Sequence, residues 1–232
     1  MLTLDQHFAS GYLPALTGAY FNLVLLLAKH GESSNPDVRA VVRDEIERLR
    51  ATGAGVKDNV RLVQALADIA GFEPPPPPSS PDAYFAWFTA VYAGFREGAV
   101  LHNRGELAHI LGHGFGEMLC SWNVAVMVVR LLVADPESPA LEQQWASLAD
   151  DLGDARDTAL IHARHPNVPP ALAELFDAFD DAVSELLDRE PDGTEDGLDA
   201  LGAWLNETMR DLDAAVTQAR EELADEDTAA EA

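Results

Sequence analysis

The stretch "NRGELAHILGHGFGEMLCSWNVAVMVVRLLVADP", residues 103–136, holds no proline before its last position, and its apolar side chains recur every three or four residues. That pattern predicts one long helix from about Asn103 to Ala134, stopped ahead of Pro136. Working outward, the punctuation stays helical. "PALEQQWASLADDLGDARDTALIHA", 139–163, predicts the next helix, and "PPALAELFDAFDDAVSELLDR" another from Pro169. A loop with Gly193 and Gly197 then leads to a last helix, about Leu198 to Leu223, ahead of the acidic run 224–232, which is expected to be disordered.

Toward the N-terminus, "YLPALTGAYFNLVLLLAKHG", 12–31, places Pro14 near a first turn and Gly31 just past Lys29 and His30 as a stop. "NPDVRAVVRDEIERLRATG", 35–53, opens with Asn35 as N-cap, Pro36 at N1 and Asp37 in the first turn. A third segment, Val56 to Ala70, ends at Gly71. The five consecutive prolines of "EPPPPPSSP", 73–81, lack amide donors and favour an extended, stiff connector. After it, "DAYFAWFTAVYAGF", 82–95, has aromatic residues on every side and belongs in a core. No sustained period-two run appears. The chain is therefore expected to be all-α, about seven helices in an antiparallel bundle or orthogonal array. The divisions are N-terminal helices over 1–73, a Pro-rich connector over 74–81, a main bundle over 82–223 with an acidic C-terminal third, and the tail, all within one structural domain.

The strongest compositional fact is charge: 15 basic against 40 acidic residues give a net of −25. From Asp135 onward there are 27 acidic and 5 basic residues, so that part of the chain carries almost the whole imbalance. Such a field disfavours nucleic acid and anionic lipid, whose phosphates need cations. Lys29 and Lys57 are the only lysines. Their scarcity along the whole chain suits a surface adapted to high salt, where screening relieves carboxylate repulsion; an acidic arm for a basic protein partner, or a homo-oligomer contact, is the alternative. Cys120 is the single cysteine, and the start "MLTLDQHFASGY" lacks a basic region ahead of an apolar run; both fit a cytoplasmic protein. Ala9 to Ala28 has no charged side chain, yet Ser10, Pro14, Thr17 and Asn22 interrupt it, so a buried core helix is expected rather than a membrane span.

One site stands out. On the long helix His102, Glu106, His109, His113 and Glu117 fall within an arc of about 80° at 100° per residue. The same stripe continues as Cys120, Val124, Met127 and Leu131, so its apolar end packs inside and its ionisable end needs compensation. His109 and His113, at i and i+4, can ligate one ion, with Glu106 or Glu117 adding oxygen from the same side. Asp157, His162 and His165 are the expected donors from the next helix, ahead of His7 and His30. Two nitrogens with a carboxylate suit zinc or non-haem iron; haem ranks behind both. The competing expectation is a hydrogen-bonded polar network in the bundle. Gly105, Gly112, Gly114 and Gly116 imply either close helix approach or a helix break.

Known patterns give no family. Ferritin-like di-iron bundles need a second Glu-x-x-His beside Glu106 and His109, and none occurs. Hemerythrin-like bundles spread His-x-x-x-Glu and His-x-x-x-His over separate helices, whereas here both lie on one. "FDAFDD", 176–181, reads as the solvated face of an acidic helix rather than a magnesium motif. Two function classes follow. One is a helical metalloprotein acting on a small molecule in a pocket lined by Tyr84, Trp87, Phe88, Trp122 and the histidine stripe. The other is a non-catalytic binding or assembly protein whose acidic third meets a partner.

Overall fold

The structure, a computed structural model, describes residues 2–47, 104–189, 191 and 193–230. Among these no strand occurs, and the architecture is an all-α bundle. We number the helices α1 (Leu4–Gly31), α2 (36–47), α3 (Arg104–Ala134), α4 (Pro139–Ala163), α5 (Pro170–Leu187) and α6 (Glu195–Ala230). The Pro-rich connector, the segment Val56 to Ala70 and the aromatic helix 82–95 lie outside the described residues.

The long helix predicted at 103–134 is the axis of the molecule. α3 contacts α1, α4, α5 and α6, and its Leu111, Phe115, Met118, Trp122, Val128 and Leu131 are all but inaccessible. By length and composition it would pass for a membrane span, and in the bundle most of that apolar surface is covered by other helices. The turn 135–138 is too short for anything but an antiparallel return, so α4 runs back along α3, with Ala159 reaching Gly114. α6 is also antiparallel to α3: Trp122 Nε1 donates to the Leu205 carbonyl at 3.0 Å, while Arg104 pairs with Glu226 at the opposite end. Phe115 stacks on Phe179 of α5, with centroids 5.0 Å apart, joining that helix to the same core.

α1 departs from the up-and-down alternation. His7 lies against Gly105, Phe8 against Gly112 and Ala15 against Gly116, so α1 runs parallel to α3. α2 caps the far end: Asn35 Nδ2 donates to the Ala134 carbonyl at 3.1 Å, and its Oδ1 accepts the Asp37 amide at 2.9 Å, the expected N-cap. Buried Glu45 on α2 accepts from Arg130 Nη1 at 2.6 Å.

Two boundaries differ from the sequence reading. α1 starts at Leu4, well before Pro14. Thr3 and Gln6 form a reciprocal capping box that starts the helix two turns earlier, and Pro14 is carried within the helix, where it has no N–H to give the carbonyl four residues before it. At the other end α6 begins at Glu195, with Thr194 Oγ1 accepting the Gly197 amide at 3.2 Å, and continues to Ala230 rather than ending at Leu223. Buried Leu223 and the Arg104–Glu226 pair tie its last turns to the bundle, so residues 224–230 of the expected tail are helical.

Candidate functional site

The described part of the histidine stripe, Glu106 to Glu117, lies on an unbroken helix, so its angular spacing holds, but its four side chains do not share one environment. His102 lies outside the described residues. Glu106 and His109 are buried, His113 is partly exposed and Glu117 is exposed. The division follows from where α1 docks. Gly105, Gly112 and Gly116 face α1 on the flank about 60° from the His102 direction. His109 sits next to that flank and is covered; Glu117 turns away from it into solvent.

The glycines explain themselves at this crossing. A Cβ on Gly112 would stand 2.3 Å from the Phe8 carbonyl oxygen, and one on Gly11 would stand 2.0 Å from the His109 carbonyl oxygen. Gly116 is closed in by Ala15 Cβ at 2.6 Å and the Tyr12 carbonyl at 2.7 Å. The pairs Gly11–Ala15 and Gly112–Gly116, each four residues apart, therefore let two backbones touch. Gly114 faces the opposite neighbour, α4, where Ala159 Cβ would lie 3.3 Å away. Of the two explanations the sequence allowed, close approach is the one realised.

Ser10 of α1 meets His109 at this crossing, with Oγ 2.8 Å from Nδ1. The same hydroxyl donates to the His7 carbonyl at 2.7 Å. A hydroxyl has one proton to give, so the economy of donors assigns the Nδ1–H of His109 as donor to Ser10 Oγ, and the neutral ring then carries its lone pair on Nε2. His113 Nε2 instead pairs with Glu117 Oε1 at 3.0 Å along the same helix.

Of the donors expected from elsewhere, His7 lies against Gly105 at this crossing, and the others are not gathered here. Asp157 is exposed and pairs with its neighbour Arg156. His162 is half-buried on the last turn of α4, and His165 Nδ1 accepts the Asn167 amide at 3.2 Å within the following turn. His30 lies at the far end of α1. Among the described residues no three histidine, cysteine, aspartate or glutamate side chains are grouped to hold an ion.

Of the aromatic residues expected to line a pocket, Trp122 alone is among the described residues. Tyr84, Trp87 and Phe88 are outside the described residues. Trp122 is 1% exposed, its indole N–H is taken by the Leu205 carbonyl, and it packs against Trp204 with centroids 5.5 Å apart.

Two features escaped the sequence reading. Asp5 grips the Arg220 guanidinium through both oxygens, at 2.7 and 3.1 Å, clamping α6 to the start of α1. Beside it burial, then the nearby Asp213 carboxylate, push the Tyr12 hydroxyl well above its ordinary range, against the opposing pull of Arg220. The second is a cavity of about 340 Å³ where α4 meets the ends of α3 and α5 and the start of α6. Both join residues far apart in sequence, which no local period reports. No protein-family model, curated protein or solved structure matches the chain.

Proposed function

We propose that the chain is a non-catalytic helical binding or assembly protein, in which the buried part of the His/Glu stripe is a structural polar network and the acidic C-terminal third meets a basic partner. The observation that carries this reading is the use already made of His109. Its backbone is pressed against Gly11, its ring is hydrogen-bonded to Ser10 at 2.8 Å, and it is 3% exposed. A side chain so held serves the α1–α3 junction. The partner half of the proposal rests on charge, since α4, α5 and α6 expose rows of carboxylates with few cations among them.

A metalloprotein is the second reading, favoured by one observation. Nδ1 of His109 is engaged as ligating histidines engage it, and Glu106 is buried one turn away on the same helix; zinc or non-haem iron would then draw its remaining ligands from outside this pair. Elemental analysis of protein purified without an affinity tag separates the two. Well under one zinc or iron per chain, with His109→Ala lowering thermal stability alone, is the expected result. A stoichiometric metal that disappears in His109→Ala or His113→Ala would overturn the proposal.

A further inference from the structure

The 340 Å³ cavity is of the size that binding sites occupy and lies between helices of a bundle, where such sites concentrate. Its floor is apolar: Leu132, Leu152, Leu186 and Leu198 are each at most 3% exposed. Half-buried Trp145 forms one wall, and exposed Glu142 stands one turn before it on the same face of α4. Arg189, the one basic side chain among the described lining residues, is occupied, since its guanidinium pairs with Glu185 and lies 4.2 Å over the Trp204 ring. Exposed Glu137, Asp188 and Asp199 adjoin lining residues in the chain, and the exposed surface of α4, α5 and α6 around the cavity carries many more carboxylates than cations.

We infer that this cavity is the docking groove for a basic amphipathic helix of a partner protein, whose apolar face enters between Trp145 and the leucine floor while its cations meet the surrounding carboxylates. The inference rests on the partner reading above and deepens it. Charge selects the occupant. A second copy of this chain, at −25, would be repelled. A small organic cation could satisfy Glu142 but not carboxylates spread over α4, α5 and α6, whereas lysines and arginines along a helix match that spread.

The test uses the whole protein and a labelled synthetic helix of leucine and lysine, with leucines at i, i+3, i+4 and i+7, beside a control in which every leucine is alanine. Fluorescence anisotropy is read at low and at molar KCl. The leucine peptide should bind at least about tenfold tighter than the control, because anchors buried in a pocket dominate such affinities, and the gap should persist at molar KCl. Ala149→Trp, which fills the cavity, should weaken the leucine peptide by about tenfold and leave the control unaffected. Should that variant lose its fold, Ala146→Trp at the exposed rim gives the same obstruction. Equal binding of both peptides, or indifference to the blocking variants, would overturn the groove while leaving an acidic partner surface in place. Absence of binding by either peptide at low KCl would remove both.

Discussion

Single atoms decide how closely α1 and α3 cross. Because a Cβ at Gly112 or Gly11 would enter the opposite backbone, Gly112→Ala should cost about 1–3 kcal/mol through forced displacement of α1, and Gly11→Ala at least as much. Gly153, on α4, has nothing within 4 Å of its Cβ position, so Gly153→Ala should raise stability by roughly 0.5–1 kcal/mol from helix propensity. Urea midpoints of the three variants check this, and equal effects would refute the close crossing. His30 gives a second test. Burial first, then the neighbouring Lys29 charge, hold its imidazole below the ordinary histidine value. The unfolded chain therefore takes up this proton more readily. The contribution is intact above the unfolded value of about 6.5 and is lost as pH falls below it toward the folded value. His30→Gln should shrink the drop in urea midpoint between neutral and mildly acidic pH; an unchanged drop would show that the ring is not desolvated.

At the scale of elements, buried Glu45 and Arg130 fasten α2 to α3. Arg130→Ala should cost about 2 kcal/mol, the worth of a charge-assisted hydrogen bond to a buried carboxylate, while Glu45→Gln with Arg130→Met should cost less; thermal melts of the two decide it. The elements themselves were largely legible. α4 begins at Pro139 as expected, α5 begins one residue after the expected Pro169, which caps it, Asn35 caps α2 as its sequence implies, and α3 ends at Ala134, ahead of Pro136. Misplaced ends have local causes: the weight given to Pro14 hid the Thr3–Gln6 box, and the acidic composition of 224–230 hid a helix secured by Glu226. In the site, the arc of Glu106, His109, His113 and Glu117 was legible, because helical angles follow from position alone. Its division into buried and exposed halves was not. That depends on which flank α1 covers, and the fit of Gly11 against His109 and of Gly112 against Phe8 records it, across a distance in sequence that periodicity does not span.

For the molecule as a whole, the net charge sets the response to solvent. Carboxylates crowded over α4, α5 and α6 repel one another across a surface with few cations, and salt shortens the reach of that repulsion. The melting temperature is expected to rise from low to molar KCl. A flat or falling curve would instead assign the acidity to the partner surface alone.

The parallel pairing of α1 with α3 also bears on how the chain is made. Ser10 and His109 lie 99 residues apart, so on a ribosome adding about 5–20 residues per second the first helix waits roughly 5–20 s for the surface it will cover. α3 to α6, joined by short turns, can close on themselves as soon as they emerge. α1 thus leaves the ribosome well before the helix it packs against, and its charge-free run from Ala9 to Ala28 lacks that cover meanwhile.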